Sequence, residues 1–78
     1  MRSTLKMPKV GDAANEVVVV EIGVRPGDRV EAGQALFTVE TDKTTVEVPS
    51  PAAGTVREVL IRVDDELRTG APTIVLEA

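Results

Sequence analysis

One lysine, Lys43, lies in a short charged segment between two runs of strand-forming residues. The segment is ETDKTT at 40–45, with ALFTV before it and VEVPS after it. A tight turn over 41–44 needs no glycine if it is type I, and it would hold Lys43 outward on a stiff strand pair. A free lysine ammonium stays protonated at neutral pH and is a poor nucleophile. We therefore expect Lys43 to be modified by another enzyme. The simplest alternative is a polar tip that keeps this end of the molecule soluble.

The other residue types that could support chemistry predict ordinary turns. The chain has no Cys and no His, which excludes disulfides, Cys-His zinc sites, cysteine nucleophiles and histidine acid–base catalysis. The densest acidic run, 64–66, matches no metal-ligand spacing and is expected to be a solvated surface turn. Pro26 and Gly27 suit the centre of a type II turn. Because no helix is predicted after them, a phosphate-binding loop is not expected there.

Composition places the chain among small single-domain proteins. It has 78 residues, a formal net charge of −4 and one aromatic residue, Phe37. Nucleic-acid binding is not expected, because there is no basic stripe and no set of stacking aromatics. No apolar run reaches the roughly 20 residues that a membrane-spanning helix needs. The first ten residues have no apolar stretch of the kind found in signal peptides. The simplest expectation is a soluble intracellular protein.

Short β-branched runs separated by closely spaced turn signals predict an all-β fold. Strands are predicted near 4–7, 16–24, 29–31, 35–40, 45–49, 54–62, 67–68 and 73–77. No stretch shows helical periodicity of useful length.

An internal repeat organises these strands. A shift of 37 residues places 19–40 over 56–77 with six identities and matched apolar positions. The identical pairs are Val19/Val56, Glu21/Glu58, Arg25/Arg62, Asp28/Asp65, Gly33/Gly70 and Glu40/Glu77. Asp64 falls where the first half has Gly27, and Thr73 falls where it has Leu36. Such a pattern favours a duplication in which the two halves bury each other's apolar faces.

The predicted product is a flattened β-barrel or sandwich of two four-stranded antiparallel sheets related by a pseudo-twofold axis. The half-repeats cover about 4–40 and 45–77, and together they make residues 1–78 a single domain. The first half has the longer loop, at about 9–16. This symmetry places the 41–44 hairpin at the opposite end of the molecule from the two termini.

The segment VETDKTTVEVPSPAAGTV at 39–56 resembles the attachment region of lipoyl domains in the acyltransferase subunits of 2-oxo acid dehydrogenase complexes. The resemblance extends over nearly the whole chain, with MPKVG near the start and VRPGDRVEAGQALFTVETDK in the middle. It implies a barrel-sandwich hybrid in which Lys43 carries lipoic acid in amide linkage. It also implies that Asp42 and Thr44 flank the lysine as residues recognised by the lipoylating enzyme. The loop at about 9–16 would lie beside the lysine and help a decarboxylase recognise its own carrier.

The resemblance further implies a carrier that performs no catalysis itself. The lipoyl group would act as a swinging arm that moves acyl groups and reducing equivalents between active sites. The implied partners are a thiamine-dependent 2-oxo acid decarboxylase, an acyltransferase catalytic core, dihydrolipoamide dehydrogenase and the lipoylating enzyme. The domain itself is expected to be monomeric. The implied compartment is the bacterial cytoplasm or the mitochondrial matrix.

Two alternatives remain open at this point. Biotin carriers share this fold and the displayed lysine, but methionines usually flank their lysine, whereas here Met1 and Met7 lie elsewhere. The glycine-cleavage carrier protein is similar but is not expected here, because it is longer and has added helices that cannot fit in this chain. A cofactor-free interaction module with a lipoyl-like fold is the alternative from another class. A small enzyme is not expected, since histidine and cysteine are missing.

Overall fold

A computed structural model describes residues 1–8, 16–41 and 44–78 of the chain. The described residues form eight β-strands and no helix. The strands are β1 (Arg2–Lys6), β2 (Glu16–Ile22), β3 (Arg29–Val30), β4 (Ala35–Glu40), β5 (Thr45–Pro49), β6 (Gly54–Val59), β7 (Glu66–Arg68) and β8 (Pro72–Glu77). Valine is the commonest residue in them, because β-branched side chains fit a pleated and half-buried surface.

The strands form two four-stranded sheets, ordered β1-β8-β6-β3 and β5-β4-β2-β7. Every pairing between the described strands is antiparallel. The all-β fold class predicted from the sequence is therefore confirmed, with two open sheets packed as a sandwich.

The sheet orders show the internal repeat. The two halves correspond strand by strand: β1 to β5, β2 to β6, β3 to β7 and β4 to β8. Exchanging each strand for its counterpart converts one sheet order into the other. Each sheet therefore takes two strands from each half of the chain. Four strand pairings join the halves, namely β1–β8, β3–β6, β2–β7 and β4–β5. Because neither half has a sheet of its own, the two halves form one hydrophobic core between them.

Backbone hydrogen bonds at the turns repeat with the same 37-residue offset. The Gly27 N–H donates to the Val56 carbonyl at 2.7 Å, and the Asp64 N–H donates to the Val19 carbonyl, also at 2.7 Å. Both turn residues have positive φ, 98° at Gly27 and 79° at Asp64. Asp64 therefore keeps the backbone conformation of the glycine that it replaces in the second half.

The core is almost entirely aliphatic. The residues buried in it are Met7, Val17, Val19, Val24, Val30, Leu36, Phe37, Val39, Val48, Val56, Ile61, Leu67, Ile74 and Leu76. Thr73, which replaces the repeat's leucine, is also buried, and its hydroxyl donates to the Leu5 carbonyl at 2.8 Å. That bond satisfies the one polar side-chain group that the replacement brings into the core.

The β4–β5 hairpin and the chain ends lie at opposite ends of the strands. At one end Arg2 pairs with Glu77, and the Ala78 N–H donates to the Met1 carbonyl at 3.1 Å. From the hairpin, β5 takes the chain away for five residues, or about 16 Å. After the four residues 50–53, β6 begins at Gly54, directly against the backbone of Glu77. The chain ends therefore lie beyond the end of β5 that is far from the hairpin.

Candidate functional site

The strands β4 and β5 form a hairpin that is anchored in the core. Its ladder pairs Glu40 with Thr45, Val39 with Val46, and Phe37 with Val48. Phe37, Val39 and Val48 are buried, Val46 packs against the core, and Glu40 and Thr45 are exposed. This alternation follows from the two-residue period of a strand, which sends successive side chains to opposite faces. The two strands of the hairpin thus pack against the core.

Thr41 and Thr44 close the hairpin. The Thr41 N–H donates to the Thr44 carbonyl at 2.7 Å. The Thr41 hydroxyl donates to the same carbonyl at 2.9 Å and accepts the Thr44 N–H at 3.2 Å. The two residues between them are Asp42 and Lys43. Two threonines thus bracket the predicted attachment residue, with both main-chain and side-chain hydrogen bonds.

Some of the sequence-predicted site residues fall outside the described part of the chain. Asp42 and Lys43 do, and so does most of the predicted recognition loop, at 9–15. Thr44 is described and exposed, and it lies next to the start of β5. The predicted roles of these residues, and the turn type over 41–44, stay predictions.

Sequence reasoning missed the role of Thr41 at this site. Thr41 is half-buried, and its hydroxyl bridges to the main chain of Thr44. The available signal was a hydroxyl residue at the first position of a four-residue turn. Serine and threonine are common in turns because their hydroxyls bond nearby backbone groups.

The surface beside the hairpin is acidic. Across the sheet that contains β4, the partners of Val18 are Glu40 on one side and Glu66 on the other, and both glutamates are exposed. On the same sheet Glu47 is paired with Thr38 and is also exposed. Arg68, paired with Glu16 on the same sheet, lies 3.4 Å from the Glu16 carboxylate. A partner that docks over this face therefore meets mostly carboxylates, which favours a mainly cationic surface.

A cluster of two arginines around one glutamate lies on the other sheet. The Arg57 guanidinium bonds the Glu77 carboxylate, and Arg2 lies 3.7 Å from the same oxygen. The hydrogen bond from Arg57 is the main cause that lowers the pKa of Glu77, against a smaller opposing effect of desolvation. This charge cluster lies at the end with the chain termini, where β1, β6 and β8 meet.

The described residues offer no catalytic constellation. They contain no group of three or more carboxylates that could hold a metal ion. A shallow apolar cavity of about 160 Å³ lies between the edge strands β1 and β5, and Lys6 is the only ionisable residue among its described lining. No helix in the described part of the chain is long and apolar enough to cross a membrane.

Comparison with known proteins identifies the family. The family model Biotin_lipoyl, described as "Biotin-requiring enzyme", matches residues 3–76. The acetyltransferase component of the pyruvate dehydrogenase complex of Haemophilus influenzae, a "dihydrolipoyllysine-residue acetyltransferase", is 42% identical over 78 residues. That match covers 100% of this chain and 13% of the relative. The chain thus spans only a small part of the length of this relative.

Two solved structures share the fold. The lipoyl domain of the 2-oxoglutarate dehydrogenase complex from Azotobacter vinelandii superposes with a TM-score of 0.75 at 24% identity, covering 96% of this chain and 95% of that one. The urea carboxylase of Kluyveromyces lactis superposes with a TM-score of 0.82 at 22% identity, covering 99% of this chain and 6% of that one. At these identities the likeness concerns the fold alone. Together with the family match over residues 3–76, it confirms the resemblance seen in the sequence: the chain belongs to the Biotin_lipoyl family.

Proposed function

We propose that this chain is a lipoyl carrier domain in which Lys43 is the attachment site. The observation that supports this best is the closed hairpin on a packed base, whose two central positions are Asp42 and Lys43. Family membership over residues 3–76 and the similarity to a dihydrolipoyllysine-residue acetyltransferase over the whole chain support it further. The domain then acts as a carrier and not as an enzyme.

The described residues at the hairpin fit an attached arm. Glu40, Thr44 and Thr45, which flank this segment in sequence, are exposed. Lipoic acid supplies redox and thiol chemistry when it is bound, and the protein supplies orientation and recognition. The chain itself contributes a hairpin whose strands, β4 and β5, are paired with each other and packed against the core. Amide formation removes one positive charge, so the formal net charge goes from −4 to −5.

The proposed setting is a 2-oxo acid dehydrogenase complex. The similar acetyltransferases are components of the pyruvate dehydrogenase complex. In this setting Lys43 moves acyl groups and reducing equivalents among a thiamine-dependent decarboxylase, an acyltransferase core and dihydrolipoamide dehydrogenase. A carrier tethered near these sites acts at high effective concentration, which is its advantage over diffusion. The proposed compartment is the bacterial cytoplasm or the mitochondrial matrix.

Biotin attachment is the second candidate, because the fold is also shared with a urea carboxylase. The residues weigh against it. Biotin carriers usually have methionines beside the lysine, whereas here the neighbours are Asp42 and Thr44. Of the two methionines, Met7 is buried in the core and Met1 is the first residue of the chain. Neither adjoins the hairpin in sequence.

Intact-mass measurement tests the proposal. The chain is expressed with a lipoylating enzyme and lipoate, and in parallel with a biotinylating enzyme and biotin. We expect one lipoyl group on the wild-type chain and none on Lys43→Arg. Lys6→Arg is the matched control, since Lys6 is exposed on β1, and it should gain the group like the wild type. A biotinyl gain, or no gain in either culture, would contradict the proposal, and no gain would favour the cofactor-free interaction module.

A further inference from the structure

The hydroxyl of Thr41 takes a place that a backbone group usually fills. In an ordinary β-turn the carbonyl of the first residue accepts the N–H of the fourth. At 41–44 the Thr44 N–H donates to Thr41 Oγ1 at 3.2 Å, so a side-chain oxygen is its acceptor. The same oxygen returns a hydrogen bond to the Thr44 carbonyl at 2.9 Å. One hydroxyl thus bonds both main-chain groups of Thr44.

Other turns of the molecule are fixed by different groups. At the two symmetric turns, Asp28 accepts the Arg25 N–H and Asp65 accepts the Arg62 N–H. Both of those turns also contain a residue with positive φ. The segment 41–44 has no glycine and no proline, so it lacks the residues that most often fix a turn.

Thr44 does not duplicate the role of Thr41. The Thr44 hydroxyl donates to the carbonyl of the next residue, Thr45, at 3.3 Å. That bond stays on one side of the hairpin, whereas the bonds of the Thr41 hydroxyl cross it. Thr41 is also half-buried, while Thr44 is exposed. The hydroxyl that couples β4 to β5 at the tip is therefore that of Thr41.

We propose that Thr41 is a positioning residue for the modification of Lys43, because its hydroxyl joins Thr41 to Thr44, the two residues that bracket Asp42 and Lys43 in sequence. This inference rests on the proposed function of the chain as a lipoyl carrier. A modifying enzyme that binds this segment pays less to order it when its two ends, Thr41 and Thr44, are already joined. When only a fraction of the free molecules has the competent tip, the apparent affinity falls by that fraction, while turnover of the bound complex is unchanged.

The test compares Thr41→Val with Thr41→Ser. Valine keeps the shape and the main-chain bond from the Thr41 N–H but loses both bonds of the hydroxyl, whereas serine keeps them. We expect Thr41→Val to reduce kcat/KM for lipoylation by about three- to tenfold, through KM and with kcat unchanged. Thr41→Ser should restore the wild-type value. Thr4→Val makes the same change at an exposed position on β1 and should leave lipoylation unchanged.

Hydrogen exchange supplies a readout that does not depend on modification. The amide of Thr44 should lose protection in Thr41→Val and keep it in Thr41→Ser, while the amides of the core strands stay protected in both. Equal protection of the Thr44 amide in Thr41→Val and the wild type would overturn the inference. An unchanged KM for lipoylation of Thr41→Val, with the wild-type chain lipoylated, would also overturn it. If the wild-type chain gains no lipoyl group, the proposed function fails, and the role in modification fails with it.

Discussion

At the scale of single residues, Asp64 marks the position where the second half departs from the first. Among the described residues with positive φ, it is the one that is not glycine. The left-handed region costs most L-residues about 1–2 kcal/mol, and Asp less than most, because its short side chain is tolerated there. Gly27 takes the equivalent conformation without that cost, and a Cβ there would meet nothing within 4 Å.

A reciprocal exchange of these two residues measures the strain. Asp64→Gly should raise the free energy of unfolding by about 0.5–1 kcal/mol, and Gly27→Asp should lower it by a similar amount. Urea denaturation of both variants provides the measurement. The pseudo-twofold symmetry makes each substitution the control for the other. A loss of stability in Asp64→Gly would show that the Asp64 side chain stabilises its turn in some other way.

At the scale of secondary-structure elements, β6 and β8 approach each other very closely at Gly54. A Cβ at this position would lie 2.6 Å from the carbonyl oxygen of Glu77 and 3.1 Å from Leu76 Cγ. The carbonyl is backbone held in the sheet, so it cannot turn aside as a flexible side chain would. The absence of a side chain at Gly54 is what lets the last strand lie against the sixth.

Gly54→Ala should therefore lower the free energy of unfolding by about 1–3 kcal/mol, the usual cost of overpacking a well-packed region. Gly23→Ala is the matched control, because its Cβ would meet only the Leu36 carbonyl, at an ordinary 3.5 Å. That variant should keep its stability or gain up to about 1 kcal/mol from reduced freedom of the unfolded chain. Chemical denaturation distinguishes the two, and equal effects would contradict the close approach.

The sequence predicted all eight strands, and its errors at their ends have physical causes. Strands were predicted over 16–24 and 54–62, but β2 ends at Ile22 and β6 ends at Val59. The apolar pattern continues past both ends because Val24 and Ile61 are buried. Residues thus stay buried beyond the last residue that pairs with a neighbouring strand. A pattern of buried residues therefore does not show where the hydrogen-bonded ladder ends.

Two further features had weak signals in the sequence. The strand β1 begins at Arg2, two residues before the predicted start, because its first residues are polar and exposed yet pair with β8. At the hairpin, the lysine motif was visible in the sequence, whereas the bridging hydroxyl of Thr41 was not. Hydrogen bonds between a side chain and the main chain depend on local geometry, which residue types alone do not specify.

At the scale of the whole molecule, ion pairs of Glu77 connect three neighbouring strands. It lies on β8 and interacts with Arg57 of β6 and Arg2 of β1. The Arg57 hydrogen bond lowers the pKa of Glu77 below its ordinary value of 4.5. Because the folded state holds the proton less tightly than the unfolded state, this carboxylate stabilises the fold above pH 4.5, and the stabilisation is lost as pH falls through the lowered pKa.

Glu77→Gln should therefore lower the Tm at neutral pH, and the difference from the wild type should shrink on acidification below about pH 4.5. Thermal unfolding from pH 7 to pH 3 measures this. In an Arg57→Gln background the pH-dependent part of the difference should be smaller, since Arg57 is the main cause of the shift. A Tm difference that stays constant down to pH 3 would contradict the assignment.

The pairing of the first and last strands also determines how the domain responds to force. Arg2 pairs with Glu77 and Thr4 with Val75 in an antiparallel ladder, and both chain ends leave from the same end of it. Tension applied through the two ends acts perpendicular to the strands, along the hydrogen bonds. The bonds then carry the load one after another, starting at Met1 and Ala78, so the ladder unzips and does not shear. The domain should be mechanically weak when pulled by its ends, even though the same pairing helps to stabilise it at equilibrium.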